Sequence, residues 1–267
     1  MSQRRRYLSF LSSRTTGVAL IVVLLIVWEV SARYRFVDSP LWPAFTTVLQ
    51  AAWDELWHGD LGFHVAMTLK RMFVGYLCAA LVGVTVGLLM GYYRFVYGLL
   101  EPLTEALRPI PSPAYIPIAI LFLGIGDEMK VFMIALACVF PILLNTYSGV
   151  KSVDPVQIDT GRTFGLSRPW ILWQIVWPAS APSIATGLRI SLGVALILAV
   201  ISEMVAANDG IGYFILQMQR SFSVAPMYAG IVVLAVVGYV LNRLFLIVEA
   251  FVLRWHHIAT RAHETSF

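Results

Sequence analysis

The 267-residue chain is 59% hydrophobic and only 13% charged, with a formal net charge of +4, and its mean hydropathy is +0.78. A soluble domain carries about 25% charged residues, so this composition excludes one and predicts an all-α, polytopic membrane protein. The small positive excess does not point to nucleic acid; the arginines cluster at the ends of apolar segments, where they set orientation in a bilayer.

Residues 1–14 carry Arg4, Arg5, Arg6 and Arg14 and read as a basic cytoplasmic N-terminus. A first span is predicted over Thr15–Ala32. Its charged start and the Val30-Ser31-Ala32 triplet resemble a signal peptide, but Trp28 and Glu29 are poor neighbours for cleavage, and the helix is expected to be retained. Residues 33–62 are rich in Trp and Pro, which suits an outer-face segment. In it an amphipathic helix from Ala44 to Trp57 places tryptophans at headgroup level.

The second span is predicted over Phe63–Tyr92, with Lys70 and Arg71 near its outer end. Gly75, Ala79, Gly83, Gly87 and Gly91 recur every fourth residue. At about 100° per residue they form one stripe without bulk, which lets a neighbouring helix approach closely in lipid; Gly83, Gly87 and Gly91 are the candidate packing residues. Arg94 then marks a cytoplasmic turn. The third span, about 95–123, contains Glu101, Glu105 and Arg108 and then Pro109, Pro111, Pro113 and Pro117. Prolines remove backbone donors, and an irregular stretch at membrane depth is tolerated only inside protein or along a cavity. Two readings stay open: a broken span, or an interfacial helix over 95–108 with the true span starting near Pro113.

Gly124-Ile125-Gly126 turns the chain into a fourth span, Asp127–Val150, with a kink predicted at Pro141. The long polar stretch 153–182 follows. It predicts two short helices, 155–164 and 168–177, with Pro155 and Pro169 in first turns, Ser167 as an N-cap and Gly165 as the stop between them. Val156, Ile158 and Phe164 are placed to dock onto another surface. The fifth span is predicted over Ile184–Ala206, where Gly187, Ser191, Ala195, Ala199 and Glu203 share a stripe. A carboxylate there is costly facing lipid, so Glu203 must face protein or water; Ser191, Ala195 and Glu203 are the candidate pathway residues. Asn208–Gly212 reads as a turn and 213–222 as a short amphipathic segment. A sixth span, from about Ala225 to Trp255, contains Arg243 and Glu249, and the tail carries Arg261 and His256, His257 and His263. The expected organisation is 1–14 basic N-terminus, 15–62 first helix and outer segment, 63–255 core including loop 153–178, and 256–267 cytoplasmic tail, with both termini cytoplasmic.

Catalytic patterns are missing from the sequence. Of three lysines only Lys151 precedes a Ser or Thr, and Val150 stands before it, so there is no phosphate-binding loop. No G-x-S-x-G, H-E-x-x-H or C-x-x-C occurs. Cys78 and Cys138 lie in apolar spans without metal-ligand spacing, and adjacent His256 and His257 cannot share one ligand on a regular helix. The chain is expected to be no enzyme and to hold no cofactor or metal of its own.

One motif identifies a class. Asp159-Thr160-Gly161, three residues, Gly165, nine residues and then Ile175-Val176-Trp177-Pro178 resembles the cytoplasmic loop of bacterial ABC-importer permeases, Glu-Ala-Ala, three residues, Gly, nine residues, Ile-x-Leu-Pro. The spacing matches fully; the triplet and the Leu are substituted. Residues 108–117, 122–126 and 206–212 extend the resemblance, toward the branch importing nitrate, taurine and aliphatic sulfonates. It implies six spans, a homodimer or close heterodimer, two ATP-binding cassette ATPase subunits carrying the ATP, an extracytoplasmic solute-binding protein and an inner-membrane location. It also assigns ATPase coupling to Asp159, Gly161, Gly165, Ile175 and Pro178. The alternative from the residues alone is an ion-coupled secondary transporter using Glu29, Glu101 or Glu203.

Overall fold

The computed structural model describes residues 14–36 and 39–254. Arg4, Arg5, Arg6, Trp255 and the tail with His256, His257, Arg261 and His263 lie outside them. The described residues form helices joined by turns and short irregular connections, without strands. In order they form α1 (Arg14–Arg33), α2 (Phe45–Trp57), α3 (Leu61–Tyr92), α4 (Arg94–Leu107), a 3-10 turn (Ser112–Tyr115), α5 (Ile116–Leu123) and α6 (Asp127–Lys151). Then come α7 (Pro155–Thr163), α8 (Arg168–Ile171), a π-helical turn (Leu172–Val176), α9 (Trp177–Ala206), α10 (Ile211–Arg220) and α11 (Val224–Val252). Among the described residues five stretches are long and apolar enough to cross a membrane: Thr16–Arg33, Leu61–Tyr92, Asp127–Lys151, Arg168–Ala206 and Val224–Val252. A sixth is the pair Arg94–Leu107 and Ser112–Leu123, bent by 90°.

The chain divides into two compact units, residues 1–62 with 214–233 and residues 63–213 with 234–267. In the first, Val48, Ala52 and Ala229 are buried beneath Trp28, Tyr228, Val232 and Val233. Trp28 Nε1 donates to the Pro43 carbonyl at 3.0 Å, and Trp42 Nε1 to Ser31 Oγ at 3.0 Å. Glu29 has a definite task here. Its carboxylate accepts from the Thr46 backbone N–H at 3.0 Å and from Thr46 Oγ1 at 2.9 Å, and pairs with Arg33. It thus caps α2, whose N-cap residue Ala44 has no capping side chain. Glu29 is a structural cap, which corrects its candidacy as an ion-coupling group.

The second unit is built around α6. The glycine stripe of α3 lies on it at a constant offset, so the two helices run in the same direction. A Cβ built on Gly75 would stand 2.8 Å from Ile134 Cβ, on Gly83 2.9 Å from Ile142 Cβ, on Gly87 2.7 Å from Thr146 Cβ and on Gly91 2.5 Å from Val150 Cβ. On another side of α6, α9 packs antiparallel: a Cβ on Gly187 would meet Asn145 Cβ at 2.8 Å and one on Gly149 would meet Ser183 Cβ at 2.6 Å. Ser191 Oγ donates to the Cys138 carbonyl at 3.0 Å, and Cys138 Sγ donates to the Ser191 carbonyl at 3.3 Å. Tyr76 OH closes the triangle on the Leu188 carbonyl at 3.0 Å. Met72, Ile134, Cys138, Ile142, Leu192, Ala195 and Ala199 form the core between the three helices.

Two expectations are corrected. The helix over 168–177 is not a separate unit: α8, the π-turn and α9 make one 39-residue stretch, Arg168–Ala206, so the fifth span begins well before Ile184. Pro178 stands in the first turn of α9, where a missing N–H costs nothing, and the π-turn before it absorbs the change in hydrogen bonding. The residues over 95–123 form a sharply bent pair, the break that the prolines were expected to impose. The kink expected at Pro141 falls inside α6, which continues through the proline, and Asn145 Nδ2 donates to the Pro141 carbonyl at 2.8 Å.

The stripe contacts predict opposite effects for two alanines. Gly87→Ala drives a methyl into Thr146 and the Leu143 carbonyl of α6 and lowers stability by about 1–3 kcal/mol. Gly98→Ala, whose Cβ meets nothing within 4 Å, raises it by up to about 1 kcal/mol through helix propensity. Thermal unfolding of the purified variants measures both; equal shifts would remove close packing as the reason for the stripe.

Candidate functional site

Two constellations stand at opposite ends of the α6–α9 hairpin. The first is the loop 153–178. Its start is fixed by Asp154, whose carboxylate accepts from the Val156 N–H at 2.9 Å, ahead of Pro155 at the first helical position. Asp154 is the capping residue the sequence reading missed. Ser167, expected to cap the second helix, makes no side-chain cap. Gly165 ends the first segment with φ +75°, the left-handed conformation expected of it. Gly161 is buried because α7 folds back on the following helix: a Cβ there would stand 2.7 Å from Ile175 Cδ1 and 3.3 Å from Ile171. The loop is therefore packed into a small core that it shares with the ends of α3, α6 and α9. Val153, Ile171 and Val176 are buried with Leu88, Val150 and Ile184, and Ile158, Leu166 and Ile175 pack against them. Ile158 thus faces inward, a correction to its expected docking role.

Beside its polar residues the loop leaves large apolar side chains outside. Phe164 is 81% exposed, Val156 67%, Trp173 63% and Trp170 57%. A cleft of about 710 Å³ opens beside Val156, with Gln157, Thr160, Gln174, Ile175 and Pro178 among its walls. Asp159 pairs with Arg162 at 2.9 Å, but both side chains are about two-thirds exposed, so the pair contributes only about 0.2–0.5 kcal/mol and leaves its charges accessible. The candidate coupling residues divide accordingly: Gly161 and Ile175 hold the loop's shape, Gly165 turns it, and Asp159 and Pro178 face its accessible side.

The second constellation is a buried ionic cluster. Glu203, at the end of the α9 stripe, is 1% exposed and Arg71 of α3 is 3% exposed. Arg71 Nε donates to Asp127 at 2.7 Å, and Nη1 donates to Glu203 at 3.2 Å and to the Asp209 carbonyl at 3.1 Å. Nη2 donates to the Asp209 carboxylate. Glu203 also accepts from Thr68 Oγ1 at 2.9 Å and the Gly212 N–H at 3.1 Å. The Gly210 N–H donates to His64 Nδ1 at 2.9 Å and the Ile211 N–H to Thr68 Oγ1 at 2.8 Å. Three consecutive backbone donors at the start of α10 are thereby satisfied by side chains of α3 and α9. Gly210, at φ +103°, lies so close to the Glu203 carboxyl that a Cβ has no room. Lys130 Nζ, also buried, donates to the Ile125 and Gly126 carbonyls at 2.9 and 3.1 Å.

Glu203 thus has the internal partner its position demanded. Sequence reasoning missed that partner, Arg71, together with Thr68, His64, Asp127 and Asp209; an arginine inside an apolar span was the available signal. Ser191 and Ala195, read as candidate pathway residues, are fully enclosed between α9 and α6. Their place here is a helix contact and not a cavity wall. Glu101 lies apart from the cluster, accepting from Tyr97 OH at 3.4 Å.

The chain matches the family of binding-protein-dependent transport system inner membrane components over residues 83–254. It is 32% identical over 247 residues to the taurine transport system permease protein TauC of Escherichia coli, covering 91% of this chain and 90% of that one. The nitrate import permease protein NrtB of Synechocystis is 32% identical over 238 residues, covering 87% and 86%. The putative aliphatic sulfonates transport permease protein SsuC of Bacillus subtilis is 28% identical over 241 residues, covering 90% and 87%. Among solved structures, a chain of the inward-facing MetNI methionine ABC transporter superposes with a TM-score of 0.66 at 18% identity, over 74% of this chain and 97% of that one. At that identity the likeness shows the fold.

Burial of the cluster sets the cost of breaking it. Glu203→Ala leaves Arg71, Thr68 and the Gly212 N–H short of an acceptor and lowers stability by roughly 3–5 kcal/mol. Asp209→Ala, at a partly exposed carboxylate, costs less. Thermal unfolding of both purified variants ranks them, and an Asp209 variant less stable than the Glu203 variant would contradict this account.

Proposed function

The chain belongs to the family of binding-protein-dependent transport inner-membrane components and is a permease subunit of an ABC importer; we propose that it works as one half of a homodimeric pathway driven by two separate ATP-binding cassette subunits. The loop 153–178 is the surface those subunits grip. The observation that carries this is its construction: a loop packed firmly onto the ends of α3, α6 and α9 presents Phe164, Val156, Trp170 and Trp173 outward. A mere connector has no physical reason to be rigid inside and apolar outside, whereas a lever pressed by a partner needs both. Asp159 and Arg162 add accessible charges of both signs. ATP is bound by the partners, and an extracytoplasmic solute-binding protein delivers the solute.

By this reading the loop, Arg94 and Lys151 face the cytoplasm, as do both termini, while Asp127 and the 207–224 segment face outward. The solute is a small oxyanion of the sulfonate, taurine or nitrate kind, on the strength of the relatives' names. The secondary-transporter reading loses its support, since Glu29 is a helix cap and Glu203 is saturated by Thr68, Arg71 and Gly212.

Two substitutions test the loop. Phe164→Asp removes exposed apolar area without touching the loop's core. Gly165→Val finds no steric obstacle within 4 Å, so its penalty is the left-handed backbone alone, about 1–2 kcal/mol. Both are expected to insert in the membrane, to co-purify with less ATPase and to lose import. Full ATPase stoichiometry together with normal substrate-stimulated hydrolysis in both would reduce the loop to a connector. Labelling of Thr160→Cys from outside intact cells would reverse the proposed topology.

A further inference from the structure

Resting on the reading of 153–178 as the driven end, we infer that Arg71 is a positioning residue of the transport cycle: it is the pivot about which the α6–α9 hairpin tilts. The hairpin is one mechanical body. Its helices are joined by the loop and cross-bonded midway through Ser191 and Cys138. Displacing the loop must therefore tilt both helices against α3, and the contacts α3 makes at the two ends decide where the tilt is centred.

Those contacts differ in kind. At the loop end α3 offers Leu88 and Tyr92 to an apolar cluster and Gly87 and Gly91 to the side chains of α6. Apolar contact over a glycine face is non-directional, so the surfaces can roll or slide without stranding a polar group. At the other end directional contacts are added beside the apolar ones of Leu69, Met72 and Gly75. His64, Thr68 and Arg71 of α3 bind Asp127 at the start of α6, Glu203 at the end of α9, and the Asp209–Ile211 turn that follows.

Charge decides whether this end can open. Arg71 meets three carboxylates, from α6, α9 and the turn. If the hairpin left α3 here, Asp127, Glu203 and Asp209 would depart together. Lys130, already bonded to two carbonyls, and the exposed Lys70 would be the remaining cations of the cluster. Arg71 would stay behind with no counter-ion. Parting buried ionic partners is the most expensive rearrangement available to these three helices, while rolling at the glycine face is among the cheapest. The ionic end therefore stays closed through the cycle and the loop end swings. Glu203 serves transport by holding this joint, without contacting the solute.

The test uses the full complex, with ATPase and binding protein, in proteoliposomes. Wild-type ATP-driven uptake and ATPase co-purification are read first; their absence would count against the importer reading, independently of the pivot. In a background lacking Cys78 and Cys138, Thr68→Cys and Ile211→Cys are combined to tie α3 to the turn. A pivot predicts that the disulfide forms at the same rate with and without ATP, and that oxidised and reduced protein import equally. Import lost on oxidation and restored by reductant, or a disulfide that does not form, overturns the inference. Arg71→Lys supplies the second arm. A single ammonium cannot span three carboxylates as a guanidinium does, so the joint loosens and solute imported per ATP hydrolysed falls while hydrolysis itself persists. A structural role alone would lower both in proportion to the folded protein; an unchanged import-to-hydrolysis ratio in Arg71→Lys overturns the pivot.

Discussion

A guanidinium sealed among apolar helices has to be matched donor by donor, and the arrangement of the second unit follows from how Arg71 meets that demand. Its partners come from the beginning of α6, the end of α9 and the turn into α10, each more than fifty residues from it in the chain. No other group in the unit fixes the register of so many elements at once. Once Asp127 and Glu203 are both held by Arg71, α6 and α9 must run antiparallel with their opposite termini level, and the loop between them is carried to the other end. The glycine stripe of α3 and the small-residue stripe of α9 then fill in the contact that this register brings together.

The glycines and the ion pairs act in opposite senses. Small residues allow backbones to approach and gain dispersion contacts, but they discriminate weakly between neighbouring registers, because a glycine face looks much the same four residues further on. The ionic cluster is the reverse: it is demanding in position and gains little net energy after desolvation. Close packing supplies the cohesion of this three-helix core, and the buried charges supply its uniqueness. This also explains why Lys130 spends its donors on the Ile125 and Gly126 carbonyls. A second free cation beside Arg71 would compete for the same carboxylates and blur the register.

Much of this was legible in the residues. Apolar run lengths located the spans, the period-four glycines identified α3 as a packing helix, and the spacing of Asp159, Gly165 and Pro178 picked out the loop. A carboxylate at the end of a small-residue stripe announced that Glu203 needed a partner. The rest was hidden for specific reasons. The identity of that partner depends on which helices are neighbours, and periodicity within one helix carries no such information. The break expected between a helix over 168–177 and a span from Ile184 is absent, because one π-turn lets the helix run on through Pro178. Ile158 and Phe164 are equivalent as apolar loop residues in the sequence. Only the fold of α7 against Ile171 and Ile175 sends one inward and leaves the other in solvent.

The loop and the cluster can be read as one device because of what lies between them. The π-turn at Leu172–Val176, Pro178 and Pro182 concentrate irregular hydrogen bonding in the first turns after the loop, where local bending is easiest. Beyond Pro182 α9 is regular and closely packed against α6 as far as Glu203. On the proposed reading of the loop as the driven end, a push there is filtered: small rearrangements of α7 and α8 are absorbed near the π-turn, and only a displacement large enough to carry the packed body of the hairpin reaches the cluster. A compliant entry followed by a stiff arm lets such a subunit tolerate thermal motion of its driver yet respond to a full closure. It also accounts for the unequal construction of the two ends, apolar and accessible where force enters, ionic and enclosed where the arm has to stay in place.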